Sequence, residues 1–186
     1  MTGFDSIAVA ATSGPPLATL VARAVAGDES AFARIVDAYH RDLVRVAYAV
    51  AGDEATAEDA AQSSWSIAWR KLHTLRDPER LRPWLVAIAA NEARQMIRSG
   101  NRRAVAEIRA RPVENAGTDP SVAIDRLDLL RVLRTLDPDD RRLLALRYVG
   151  GLEPIEIAPL VGMSDSGVRG RLSRLVDRLR RELAHG

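Results

Sequence analysis

Arginine is the side chain whose placement in this sequence points to chemistry. Between Val168 and Leu183, apolar residues recur at i+3/i+4 spacing (Val168, Leu172, Leu175, Leu179, Leu183), which predicts a helix with one buried stripe. Arg169, Arg171, Arg174, Arg178, Arg180 and Arg181 fall largely off that stripe. A guanidinium is a planar fork that matches phosphate oxygens and the O6/N7 edge of guanine, so a helix built this way suits a DNA groove. The residues before it supply the positioning elements. Asp137 is placed to cap a helix starting at Pro138, Leu143, Leu144 and Tyr148 give that helix an apolar face, and Gly150-Gly151 ends it. A short helix over Pro154 to Val161, a turn at Gly162-Met163 and a capping Ser164 complete the pattern of a helix-turn-helix.

Composition narrows the function classes. The chain has 186 residues and a formal net charge of only +2, so any nucleic-acid contact must come from local clusters rather than a global polycation. Lys71 is the only lysine, a bias that reads first as a GC-rich genome and second as selection for bidentate contacts. Cysteine is absent, which removes disulfides, thiol chemistry and Cys-based zinc sites and fits a reducing cytoplasm. His40, His73 and His185 are scattered, with no metal-ligand spacing and no phosphate-binding glycine loop. Neither enzymatic activity nor a cofactor is expected. MTGFDSIAVAATSGPP lacks a basic start and a sustained apolar run, so it reads as a disordered tail over residues 1–16 rather than a signal peptide or membrane span.

The expected fold class is all-α: two small helical domains joined by a flexible linker, the second containing the helix-turn-helix. Leu17 to Ala26 reads as a short helix ended by Gly27, and Asp28 caps a longer one with Phe32, Ile35, Val36, Tyr39, Leu43, Val46 and Val50 on its apolar face. Thr56-Ala57-Glu58-Asp59 resembles a capping box and opens a helix on which Trp65, Ala68, Trp69 and Leu72 point one way. A polar loop from His73 to Pro83 precedes a helix carrying Trp84, Leu85, Ile88 and Ile97 that runs out near Ser99-Gly100. The first domain is placed at residues 17–100 and a linker at 101–121, with helix at its start. The second domain, at 122–186, opens with Ile124, Leu127, Leu130, Leu133 and Leu136.

Taken in this order, the segments resemble bacterial sigma factors of the extracytoplasmic-function type. AEDAAQSSWSIAW (Ala57 to Trp69) is similar to the family's acidic helix that docks on the polymerase clamp, and RPWLVAIAANEARQMIR (Arg82 to Arg98) to its helix that reads the −10 element. Leu136 to Leu183 is similar to the −35-reading domain. The resemblance implies that Glu58, Asp59 and Gln62 meet core RNA polymerase. It places Arg76, Asp77, Arg80, Arg82, Asn91, Arg94 and Arg98 toward the melted −10 strand. Arg169, Ser173 and Arg174 would face −35 bases, while Arg171, Ser164 and Arg147 would hold phosphates. Implied partners are core polymerase through its clamp and flap, promoter DNA, and an anti-sigma factor, with no membrane insertion.

Some positions depart from the family pattern. Ser63 stands where a Glu is frequent, Ala87 and Ala90 where basic residues are common, and Gln95 where an acid is usual. Gly167 and Gly170 replace a frequent Thr and Ser, Val176 replaces an Arg, and Pro159 falls inside the first helix of the motif, where it should bend or shorten it. Trp84 falls on the apolar stripe and is expected in the core. Arg178, Arg180 and Arg181 suit a solvated helix end. The competing class is a stand-alone helix-turn-helix regulator that acts without polymerase.

Overall fold

The structure is a computed structural model that describes residues 15–106, 133 and 135–184. Every regular element among them is helical. Helix α1 (Leu17–Val25) ends before Gly27, whose φ of +91° turns the chain, and Asp28 caps α2 (Glu29–Ala51) by accepting the Ala31 amide at 3.1 Å. Arg23 and Ser30 also donate to the Asp28 carboxylate. Gly52, left-handed at φ +81°, stops α2.

Helix α3 (Glu54–Lys71) starts earlier than the Thr56 box suggested. Asp53 is the cap, accepting the Thr56 amide at 2.8 Å, so Thr56 lies inside the first turn. A polar stretch follows with two 3-10 turns, Leu72–Thr74 and Pro78–Arg80. Helix α4 (Leu81–Ala106) then begins within the expected loop and continues past Ser99-Gly100 into the expected linker. Pro83 sits in the first turn of α4, where its missing N–H has no intrahelical acceptor to lose. Gly100 lowers helix propensity by about 1 kcal/mol without ending the helix.

Helices α1 to α4 enclose a core of Ile35, Leu43, Leu72, Leu81 and Leu85, each about 1% exposed or less. Trp65 is also buried there, half-buried Trp84 packs against it as expected, and Phe32 meets both Trp65 and Trp69 edge-on. Burying one such side chain stabilises by roughly 1.5–3 kcal/mol, which makes this cluster the main reason the bundle holds together.

In the second unit, α5 (Pro138–Leu144) is capped by Asp137 and passes into a π-turn, Ala145–Val149. Leu143 and Leu144 are buried as expected, but Tyr148 is 62% exposed, because the wider turn rotates it off the apolar face. Helix α6 (Pro154–Val161) carries a capping box between Glu153 and Glu156 and continues through Pro159 to a left-handed Gly162. The proline removes one backbone bond near the end of a short helix but does not interrupt it. Helix α7 (Asp165–Ala184) is capped by Ser164, whose hydroxyl accepts the Gly167 amide at 3.1 Å. Val168, Leu172 and Leu175 are buried, Leu179 is half-buried, and Leu183 is exposed: the stripe leaves the core in the last turns.

The two units are not separate in space. One buried cluster runs from Val46, Val50, Val86 and Ala90 of the first to Leu143, Leu146, Leu152 and Ile157 of the second. Ile124, Leu127 and Leu130, and most of the expected linker, lie outside the described residues. Leu136 is buried in the shared cluster.

Candidate nucleic-acid and polymerase interface

Helix α7 presents its basic residues to different surroundings. Arg174 is exposed, with no hydrogen bond or ion pair to it among the described residues. Arg169 is 63% exposed and pairs with Asp165 one turn earlier. Ser173 is exposed between them. These three share an open surface that a duplex can approach. Arg171 differs. It is bonded through Nε to Asp140 Oδ1 at 2.6 Å and ties α7 to α5. Arg147 likewise holds the loop after the π-turn, donating to Leu152 O at 3.1 Å and Glu153 Oε1 at 2.7 Å. Ser164 is committed to its cap, with its hydroxyl also 3.2 Å from that of Ser166. The three residues assigned to phosphates therefore all have structural partners.

The residues expected at the −10 strand divide similarly. Arg76 is exposed, and Asp77 caps the Pro78–Arg80 turn through the Glu79 amide at 3.0 Å. Arg80 lies 3.9 Å from Asp77 and 4.0 Å from Glu156 of α6. Arg82 donates to Asp42 at 2.8 Å and to the Gly150 carbonyl at 2.8 Å. Arg94 pairs with Asp139, and Arg98 stands 3.8 Å from the other oxygen of that carboxylate. The Arg94 hydrogen bond holds the Asp139 carboxyl below the usual carboxylate range against the opposing effect of burial. Asn91 is half-buried on the same helix.

On α3, Asp59 and Gln62 are exposed, whereas Glu58 is half-buried and 3.7 Å from His40 Nε2. His40 is held from its other nitrogen by the Trp65 indole N–H at 3.2 Å. Ser63 does not point to a partner molecule: it donates to Glu92 of α4 at 2.9 Å, so the departure from Glu at this position joins two helices instead. Beside this helix lies a groove of about 500 Å³ whose lining includes Phe32, Val36, Trp65 and Trp69, with Glu29 and Asp37 as its acidic members.

Asp42, Asp139, Asp140 and Arg141 were not expected to matter. The sequence shows Asp139 and Asp140 only as acids suited to a helix N-terminus, since their partners are 45 and 31 residues away. Arg141 is 7% exposed and donates to the Ala51 carbonyl at the end of α2, an apolar-looking environment that no local pattern announces. Arg142 reaches the Leu160 carbonyl at 2.9 Å, satisfying the C-terminal turn of α6.

Comparison with known proteins fits this arrangement. Residues 35–103 match the model of sigma-70 region 2 and residues 126–179 that of sigma-70 region 4. The chain is 30% identical over 169 residues to the RNA polymerase sigma factor CnrH of Cupriavidus metallidurans, an alignment covering 83% of this chain and 87% of CnrH. The chain belongs to the sigma-70 family, among its extracytoplasmic-function members. It is also 34% identical over 168 residues to the probable sigma factor RfaY of Xanthomonas campestris pv. campestris, covering 86% of this chain but only 42% of that relative. The sigma factor RpoE of Bartonella quintana, solved in complex with the anti-sigma factor NepR, shares the fold with a TM-score of 0.68 and 24% identity, over 82% of this chain and 96% of that one. The two matched regions divide the chain between α2–α4 and α5–α7.

Proposed function

We propose that this chain is a specificity subunit that binds core RNA polymerase and brings it to a two-part promoter, acting by binding and not by catalysis, in the bacterial cytoplasm. The observation that carries the reading is the open face of α7, where Arg169, Ser173 and Arg174 stand clear of the packed stripe in the region-4 match, downstream of the region-2 match. A bidentate arginine on guanine O6/N7 contributes ~1–3 kcal/mol of base discrimination, enough to select a −35 sequence when added across one helix face. Glu58, Asp59 and Gln62 offer an acidic and amide surface to the clamp, with flap contact expected from the second unit. Arg76, Asp77, Arg80, Arg82, Asn91, Arg94 and Arg98 serve the opened −10 strand. Splaying out a base costs a few kcal/mol, which stacking and hydrogen bonds at that loop must offset.

An anti-sigma factor is included among the proposed partners, by extension from RpoE, whose solved structure contains one. No helix among the described residues is long and apolar enough to cross a membrane. Co-purification with bacterial core polymerase, followed by run-off transcription from a selected promoter, tests the reading. The expected result is a stoichiometric complex and core-dependent transcripts. A chain that shifts duplex DNA equally well without core enzyme would support the stand-alone regulator instead.

A further inference from the structure

Where α4, α5 and α7 meet, the guanidinium groups of Arg94, Arg142 and Arg171 line a largely enclosed cavity of about 150 Å³. Two of the three are matched by a carboxylate. Arg94 pairs with Asp139, and Arg171 with Asp140 at 2.6 Å. Both meet their aspartate through Nε, which leaves their terminal nitrogens to donate elsewhere. Arg142 has no such partner among the described residues. Its hydrogen bond goes to the neutral Leu160 carbonyl, and its Nε is buried without an acceptor. We propose that this cavity is a binding site for a small tetrahedral oxyanion of the phosphate class, held by Arg142 and the terminal nitrogens of Arg94 and Arg171.

Charge and size both favour that ligand. Burial and the neighbouring charge of Arg94 push Arg142 below the usual arginine range, while Asp139 opposes them. A partly buried cation without its own counter-charge is costly, and a bound anion supplies the missing negative charge. Phosphate carries about −1.5 to −2 at pH 7, and its oxygens accept from several guanidinium groups at once. Asp139 is the one carboxylate in the lining among the described residues. Its two oxygens already face Arg94 and Arg98, so its repulsion of an incoming anion is blunted. Leu143 and Val161 add apolar lining, which lowers the local dielectric and strengthens the ion contacts. A water molecule takes about 30 Å³ in the liquid, so the cavity has room for roughly five waters or one phosphate ion. It has no room for a nucleoside attached to that phosphate.

Isothermal titration calorimetry of the full chain with inorganic phosphate, at constant ionic strength in a chloride buffer, tests the site. Phosphate should bind saturably, and sulfate, which has the same shape, should compete. Arg142→Gln should weaken binding about tenfold, the order expected from losing one charge-assisted contact. Val161→Phe keeps every guanidinium but fills the cavity, so it should abolish binding. Circular dichroism checks that each variant is folded, and either folded variant suffices. Phosphate should also raise the melting temperature more in the unchanged chain than in the variants. That difference removes the general stabilisation that salts excluded from the surface give. Adenosine monophosphate should fail to compete. Absence of saturable phosphate binding overturns the site. Unaltered affinity in folded Arg142→Gln or Val161→Phe overturns its location in this cavity. Competition by adenosine monophosphate as strong as by sulfate overturns the enclosure and moves the anion to an open arginine surface.

Discussion

Arg169, Arg171 and Arg174 occupy one helix, yet their partners give them different jobs. The Asp165 partner of Arg169 is an exposed i,i+4 pair, worth about 0.3–0.5 kcal/mol, less than a guanine contact would return. Arg169 can therefore exchange it for DNA. Arg171 is held by Asp140, which is only 17% exposed, and leaving that carboxylate unpaired makes release costly. Arg169→Ala and Arg174→Ala should each weaken −35 binding by ~1–3 kcal/mol, measured by competition with a base-substituted promoter, with little change in melting temperature. Arg171→Ala should lower the melting temperature as well. Capping residues follow a separate rule: Asp53→Ala should destabilise by about 1 kcal/mol in a urea titration through loss of the Thr56 amide contact, leaving promoter selectivity unchanged.

At the scale of the element, α7 carries a defect that can be repaired at one position and not at its neighbour. A Cβ at Gly170 meets only Arg174 Nη1 at 3.5 Å, an ordinary contact with a flexible group. Gly170→Ala should therefore stabilise by up to about 1 kcal/mol through helix propensity. A Cβ at Gly167 would lie 3.0 Å from the Ser164 hydroxyl that caps the same helix, so Gly167→Ala should lose most of that gain. Differential scanning calorimetry of the two variants checks the order. Helix α6 tolerates Pro159 because its register comes from the Glu153–Glu156 capping box at one end and the Arg142 contact with Leu160 at the other.

For the whole molecule, the proposed −10 and −35 contacts on one chain would reinforce each other through effective concentration, so neither region alone should bind its element tightly. The Arg94–Asp139 contact that joins the two units has a pH dependence of its own. The Asp139 carboxyl is depressed chiefly by the Arg94 hydrogen bond, so its contribution is complete above the ordinary carboxylate pKa of about 4 and is lost as pH falls through the lower folded value. The contribution of this pair to the melting temperature should stay level from pH 8 to pH 5 and drop on further acidification, followed by circular dichroism. Asp139→Asn should flatten that drop.

Periodicity and capping chemistry made the helices legible, since both act within a few residues. The Val168–Leu175 stripe, the Asp28, Asp137 and Ser164 caps and the Gly52 and Gly162 stops all lie where local rules put them. The same rules placed the start of α3 too late and the end of α4 too early, because Asp53 competes with Thr56 as a cap and a lone glycine is a weak stop inside a packed helix. The open face of α7 could likewise be foreseen, as it needs only helical spacing. What tertiary structure alone decided is which arginines are free. Arg82, Arg94 and Arg171 look like Arg174 in sequence, but acceptors brought from 31 to 68 residues away occupy them. Coulomb attraction depends on distance in space, and no local pattern encodes that.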